Sequence, residues 1–282
     1  VIYGEKNTDN SDDNYKIYYS DDEADEYDDY YEYPSSVCNY HYAPNYPPKY
    51  DDEDMKIVNK INALYGVDEV GYDELGKDLI GHKCITDDEI INLKNQNIDP
   101  LYGEITLKGL HTLSTKYCMD LYDASVVYDL GAGCGKLLLM IYMLFPNIKN
   151  LIGYEISESR YNIAVEAYKK YSELKHKNIS PIENIFTDPT SDRTITLKMM
   201  SIFDISQEEL QKADKIFLAV NFLNDEPIMK LYDNMKNGTR ILTFRNHNKC
   251  PCLKQIHFYL PVRTTWSCPW GHIFHFYEKI PI

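Results

Sequence analysis

The 282-residue chain has room for one catalytic domain of ordinary size plus an accessory segment, and its net charge of −15 is far from evenly spread. Residues 1–54 hold 3 Lys+Arg against 16 Asp+Glu, a balance of −13, which leaves a body near neutrality at −2 that advertises no broad basic groove for nucleic acid. Seven cysteines, an odd number without small-domain spacing, point to a reducing compartment; no secretory signal is visible and no apolar run reaches the ~18 residues of a membrane span. These features predict an intracellular protein of nucleus or cytoplasm with no membrane partner, and valine at position 1 leaves room for an upstream portion.

Taken in chain order, the first element is the acidic leader, residues 1–54, typified by the Asp, Glu and Tyr run from Asp21 to Tyr33. It lacks the aliphatic periodicity of a core and repels itself, so it reads either as a solvated tail or as a surface whose acids and tyrosines hold a basic partner. Pro34, Pro44, Pro47 and Pro48 give it an extended linker. Residues 55–124 read as a small helical cap. Met55 to Tyr65 has helical spacing, Thr86-Asp-Asp-Glu89 is a capping box for a second helix, and a third runs from Leu107 to Tyr117 after the loop bearing Tyr102, Gly103 and Glu104.

Residues 125–282 then alternate strand and helix. Strands are predicted at 126–129, 151–155, 194–203, 215–221 and 239–245, with an antiparallel pair at 256–262 and 272–278 closing the sheet. Helices fall at 135–145, after Ser157 through Ala164 and Tyr171, after the capping box Ser206-Gln-Glu-Glu209, and at 226–235; residues 175–193 read as a polar inserted loop. The predicted fold is α/β, a doubly wound, Rossmann-like, seven-stranded mixed sheet with the helical cap and acidic leader ahead of it.

The most telling run is Val126 to Lys136, in which a strand breaks into a glycine loop that opens a helix. Gly131, Gly133 and Gly135 let backbone approach a ligand, Asp129 stands at the strand's carboxyl end, and a second strand ends in Glu155, where a ribose diol can bind. A plain strand-to-helix packing loop is the alternative. A dinucleotide site spaces its glycines Gly-x-Gly-x-x-Gly, whereas these fall at Gly-x-Gly-x-Gly, and Asp129 repels pyrophosphate while suiting an amine. No lysine followed by serine or threonine closes the loop, which disfavours a P-loop.

The run from Asp129 to Gly135 is similar to the first motif of class I S-adenosylmethionine-dependent methyltransferases. The loop Pro100 to Thr106, the segment Ala213 to Phe222 and the turn Asn234 to Leu242, with Thr265-Trp266-Ser267 before a final aromatic strand, narrow the likeness. Over roughly residues 85 to 280 the chain resembles the Dot-type, non-SET lysine methyltransferases that act on histone H3. The resemblance implies S-adenosylmethionine as cofactor and a basic protein, histone or nucleosome, as substrate. It implies that Asp129, Gly131, Ala132, Gly133 and Gly135 line the methionine and ribose part, that Glu155 holds the ribose hydroxyls, that Glu104 meets the α-amino group, that Tyr102 and Lys136 also bind the cofactor, and that Phe203 and Asp204 stand at the adenine. Core packing for Phe203, helix capping for Asp204 and a helix-start acid for Glu104 are the plainer alternatives.

Asn221, Phe222 and Trp266 are implied at the reactive corner, with one of Phe274 or Phe276. An asparagine amide can orient an amine, and ring faces can desolvate it while tolerating residual positive charge. Each ring can equally be core. The chain departs from the family here: two adjacent asparagines and an aromatic pair are usual, and Val220-Asn221-Phe222-Leu223 offers one of each. It also lacks the family's lysine-rich tail, although Lys169, Lys170, Lys175 and Lys177 can form a local patch, so direct nucleic-acid binding stays open. Three functions therefore compete: a Dot-type protein-lysine methyltransferase, a methyltransferase for RNA or another substrate, and an inactive cofactor-binding partner protein.

The cluster of His247, Cys250, Cys252 and His257, with Cys268 and His272 downstream, is not read as a metal site, because a single proline separates Cys250 from Cys252 where zinc pairs use two to four residues. Cys134 reads as a small space-filling residue rather than a nucleophile.

Overall fold

A computed structural model describes residues 2–3, 18–19, 51–66, 80–175, 184–188, 190–222, 226–265 and 271–282. The chain divides into two compact units, Val1–Pro44 and Asn45–Ile282. In the first, β1 (Ile2–Tyr3) pairs antiparallel with β2 (Tyr18–Tyr19).

The second unit begins with α1 (Asp52–Tyr65), which takes in the last acids of the predicted leader. The physical reason is local: the Asp51 side chain accepts the Asp54 N–H, while Asp52, Glu53 and Asp54 sit in the first turn, where the helix dipole favours negative charge. After α2 (Ile80–Lys83) comes α3 (Asp87–Asn95), opened by the complete capping box of Thr86 and Glu89, and then α4 (Leu107–Leu113), shorter than the sequence suggested and capped by Thr106.

The α/β body follows as β3 (Val126–Leu130), α5 (Lys136–Leu144), β4 (Asn150–Glu155), α6 (Glu158–Lys175), β5 (Ile185–Asp188), β6 (Arg193–Met199), α7 (Gln207–Leu210), β7 (Lys215–Leu218), α8 (Glu226–Asp233), β8 (Arg240–Thr243), β9 (Leu253–Val262) and β10 (His272–Lys279). Eight strands order as β5-β6-β4-β3-β7-β8-β10-β9. The five from β6 to β8 are parallel, while β5, β10 and β9 each run antiparallel to a neighbour.

The eighth strand corrects the predicted seven. It is β5, inside the segment read as an inserted loop, which pairs with β6 and puts Phe186 against Tyr168 at 5.2 Å between ring centroids. The predicted strand 194–203 is also too long at its end. It stops at Met199, and Phe203 rides on a separate 3₁₀ turn, Ile202–Asp204.

Side-chain alternation along the strands divides the core between the two sheet faces. Val127 and Phe217 face the side covered by α1, α4, α5 and α6, whereas Tyr128, Ile216 and Leu218 face the side of α7 and α8. Because β3 has β4 on one side and β7 on the other, the chain order reverses at β3, and the crevice beyond its carboxyl end is where such sheets bind ligands. Among the described residues no helix is long and apolar enough to cross a membrane.

Candidate active site at the sheet's switch point

The loop after β3 is tied to the end of β4. Gly131 and Ala132 donate their N–H groups to the Tyr154 carbonyl at 2.9 and 2.8 Å, and the Gly133 N–H donates to Glu155 Oε2 at 2.7 Å. Gly131 and Gly133 have φ of +90° and +53°, and side chains fill the space where a Cβ would lie: Val220 at Gly131, and the Tyr102 ring, 2.6 Å away, at Gly133. Glycine is thus demanded by both backbone angle and room. Gly135, at φ +76°, ends the loop and opens α5.

Charge collects around this loop. Asp129 is buried, and burial, followed by the nearby negative charge of Glu155, pushes its carboxyl up to about 7. Glu155 is also buried, which raises its pKa, opposed by Arg160 and by backbone N–H groups. Its Oε1 accepts the N–H of Ile156 at 3.0 Å and of Ser157 at 2.7 Å. With Gly133 on Oε2, three of about four lone-pair directions are used, so one remains on Oε2 for a ligand hydroxyl.

The Tyr-Gly-Glu loop lies against the same glycines. Glu104 joins the buried Lys136 ammonium at 2.9 Å through Oε2 and accepts the Tyr102 hydroxyl at 2.7 Å through Oε1. The Lys136 ammonium also stands 5.1 Å from the Tyr65 ring centroid. Reciprocal bonds stitch this loop to the end of β9: Thr265 Oγ1 accepts the Glu104 N–H at 2.9 Å, and the Thr265 N–H donates to the Glu104 carbonyl at 2.8 Å.

Two residues hold the cap over the site: Arg160, which sequence reasoning missed, and Glu89, which it read only as half of a capping box. Arg160 sits over the Tyr102 ring at 4.9 Å and donates to the carbonyls of Gly81 and Pro100. Glu89 reaches from α3 to the first turn of α6, accepting the Ser157 hydroxyl at 2.8 Å and the Ser159 N–H and hydroxyl at 2.9 and 2.6 Å. Although burial opposes it, hydrogen bonds led by those of Ser159 hold the Glu89 carboxyl down at about 2. A depressed carboxyl contributes stability that is present above its unfolded pKa, ~4.3, and lost as pH falls through the folded value. Glu89→Ala is expected to cost about 2 kcal/mol at neutral pH, roughly 4–8 °C in Tm. Melting curves of parent and variant should converge between pH ~4.3 and ~2.

The reactive corner lies past β7. Asn221 is exposed; its amide nitrogen donates to Asp99 Oδ2 at 3.0 Å, its carbonyl accepts the Asp99 N–H at 3.0 Å, and Arg245 approaches its amide oxygen at 3.5 Å. Phe222 is not exposed with it. Its ring is 1% accessible and packs against Phe203 at 5.6 Å, which puts it in the core behind Asn221. Phe203 is half-buried and borders a hollow of about 300 Å³ between the 3₁₀ turn and α8. Asp204 is exposed, and Ser206, rather than Asp204, caps α7 through the Glu209 N–H. The return half of the predicted Ser206 box is replaced, because the Glu209 carboxylate pairs with Lys198 and Lys212. Phe274 and Phe276 are both fully buried in the core. Trp266 lies outside the described residues, as do Leu223, Lys177 and Cys268.

Among the described residues no group of three His, Cys, Asp or Glu side chains is placed to hold a metal ion. What the site presents is an acid at the end of each of two neighbouring strands, a glycine floor, and a buried Lys-Glu pair, all on one sheet edge. A donor set of this kind fits an amino-acid-bearing nucleoside: acids for an ammonium, a cation for a carboxylate, and Glu155 for a sugar hydroxyl.

The family model of histone methylation protein DOT1 matches residues 82–257. No curated protein matches the chain. Similar solved structures include a methyltransferase from Geobacter sulfurreducens, 10% identical, covering 88% of this chain and 98% of that one with a TM-score of 0.46. Another is an RNA methyltransferase from Salinibacter ruber in complex with S-adenosyl-L-homocysteine, 13% identical, covering 58% and 88% with a TM-score of 0.38. A third is an S-adenosylmethionine-dependent O-methyltransferase from Thermotoga maritima, 16% identical, covering 69% and 71% with a TM-score of 0.40. The family match spans well over half of the chain and takes in the glycine loop, Glu155 and Asn221, so the protein belongs to the DOT1 histone methylation family and is an S-adenosylmethionine-dependent methyltransferase.

Proposed function

We propose that the chain methylates a lysine of a histone, as a chromatin regulator, with the site residues in the roles that follow. The observation that carries this reading is the pairing of a glycine-floored, acid-lined crevice with the exposed Asn221 amide past the next strand, within the matched family segment. When bound, S-adenosylmethionine supplies an electrophilic methyl group on a sulfonium. Asp129 and Glu104 meet its ammonium, Lys136 its carboxylate, Glu155 its ribose and Phe203 its adenine. The Asn221 amide, fixed by Asp99, orients the incoming amine. A lysine with an unperturbed pKa of ~10.4 must shed its proton first, and desolvation by apolar surface around that corner lowers the cost. Trp266 is assigned to that surface from the sequence alone.

Transfer of radiolabelled methyl to nucleosomes, free histones and RNA tests the assignment. Label on histone lysine supports it; label on RNA alone replaces it with the nucleic-acid reading, and cofactor binding without transfer to any acceptor replaces it with the inactive partner. The acidic leader is assigned to holding the basic substrate, so removing residues 1–50, which leaves α1 and its Asp51 cap in place, should weaken histone binding and flatten its salt dependence. Equal binding across a salt series would make the leader a passive tail.

The assignment of Asp129 to the ammonium has a signature in pH. A carboxyl near 7 is half protonated at neutrality, and an ammonium beside it favours the ionised form, so binding should release a proton. Affinity for S-adenosylhomocysteine should therefore rise with pH from about 5.5 and level off above about 7.5, and Asp129→Asn should flatten the curve. The sign for the free protein is opposite, since a raised carboxyl contributes stability below its unfolded pKa that is lost as pH rises through 7. Calorimetric titration in buffers of different ionisation enthalpy reads the proton directly.

A further inference from the structure

α1 lies ahead of the segment that the family model matches, yet its last residue touches the glycine loop. Tyr65 is buried, its hydroxyl donates to the Cys134 carbonyl at 2.6 Å, and its ring centroid stands 5.1 Å from the Lys136 ammonium. Burial pushes the phenol well above its ordinary pKa, so the hydroxyl stays a donor at any working pH. A second tyrosine holds the loop one residue on. Tyr168, from α6, donates to the Gly135 carbonyl at 2.6 Å, while its ring packs against Phe186 at 5.2 Å. Both phenols thus tie down a carbonyl of the loop, and Tyr65 adds a ring at the ammonium of the first helical residue after it.

We propose that Tyr65 is a positioning residue for the amino-acid end of the cofactor, its ring holding the Lys136 ammonium where a ligand carboxylate can reach it. This role rests on Lys136 as the partner of that carboxylate. In the free protein the Lys136 side chain is 8% exposed and pairs with Glu104 Oε2 at 2.9 Å. An ammonium so buried needs compensation throughout, and Glu104 is also the group that meets the ligand's ammonium. When Glu104 shares its charge with the ligand, the negative face of the Tyr65 ring still favours the Lys136 cation. A carboxylate in the ring's place would repel the ligand's own, whereas a ring has no net charge to do so.

The hydroxyl has a different task. Its bond to the Cys134 carbonyl fixes the backbone one residue beyond Gly133, whose N–H holds Glu155 Oε2 at 2.7 Å. Two parts of one side chain therefore act on different parts of the ligand. The hydroxyl supports any nucleoside that rests on the loop, and the ring supports those that carry a carboxylate.

The test compares two ligands by calorimetry on the full-length protein, the weaker one read by displacement. S-adenosylhomocysteine carries the amino acid; 5′-methylthioadenosine keeps the nucleoside and the thioether without it. Tyr65→Phe keeps the ring and drops the hydroxyl, so both affinities should fall by a similar factor, roughly 3–10-fold, and Tyr168→Phe should behave likewise. Tyr65→Leu drops the ring as well. It should weaken S-adenosylhomocysteine by a further ~10-fold and leave 5′-methylthioadenosine where Tyr65→Phe puts it. Lost packing weakens both ligands together and cancels in the ratio of their affinities, and Tyr65→Met repeats the measurement should the leucine variant not fold. The same ratio in Tyr65→Phe and in the ringless variants overturns the role. Lys136→Met separates the two layers: a ratio equal to the parent's means that Lys136 does not hold the carboxylate, and the ring's role falls with it. A ratio that collapses in Lys136→Met and survives in Tyr65→Leu leaves Lys136 in place and removes the ring alone.

Discussion

Gly133→Arg is expected to abolish the rise in melting temperature that S-adenosylhomocysteine confers on the parent, at every ligand concentration that can be reached. A ligand that binds only the native state stabilises it by RT ln(1 + [L]/Kd), about 2.7 kcal/mol at a hundredfold excess over Kd, so the shift in the parent is easily read. Three effects add at this position. The φ of +53° disfavours any Cβ, the Cβ would lie 2.6 Å from the Tyr102 ring, and the long side chain would have to leave through the space that a ligand on the loop would occupy. The Gly133 N–H would also be pulled away from Glu155 Oε2, leaving a buried carboxylate short of a donor. Gly66→Ala supplies the comparison: it shares a positive φ of +68° but has nothing within 4 Å of its Cβ, so it carries the backbone penalty outside the cofactor loop and should keep the ligand-induced shift. A full shift in Gly133→Arg would show that the ligand does not sit on this loop.

How much of this was legible in the chain follows from the range of each interaction. The unit β3, glycine loop, α5, β4 could be read because each piece is local: an apolar run, glycines at fixed spacing, and Glu155 closing the next apolar run. The Thr86 box was equally plain, since both of its hydrogen bonds span three residues. By contrast β5 is four residues long, and among its described side chains Phe186 alone is buried, with Ile185 and Thr187 exposed on either side, which is too little periodicity to outweigh a loop reading. The pairs that assemble the site left no local trace at all. Lys136 meets Glu104 across 32 positions, Ser159 meets Glu89 across 70, and Asn221 meets Asp99 across 122, so only the folded chain brings them together. Phe222 could be read either way, at the reactive corner with Asn221 or in the core; in an extended segment successive side chains point to opposite sides, and the ring goes inward to Phe203.

That opposition makes Asn221 the residue on which turnover should depend. Asn221→Ala is expected to lower turnover by ~10²-fold while changing affinity for S-adenosylhomocysteine little, because an orienting contact realised in the transition state acts on turnover rather than on cofactor binding. The side-chain amide is held from both ends, by Asp99 Oδ2 at its nitrogen and by Arg245 near its oxygen, so its direction is set before any acceptor arrives. Asp99→Ala should reproduce part of the loss, on the order of 10-fold, by freeing the amide without removing it. Because the Asp99 N–H also donates to the Asn221 carbonyl, that backbone bridge survives the substitution and keeps the corner folded. Methyl transfer measured at saturating cofactor, with single-turnover rates, separates the two effects. Equal turnover in Asn221→Ala and the parent would remove the amide from the chemistry and leave the corner to residues of the segment around Trp266; a loss of cofactor affinity as large as the loss of turnover would move Asn221 from the acceptor side of the site to the cofactor's.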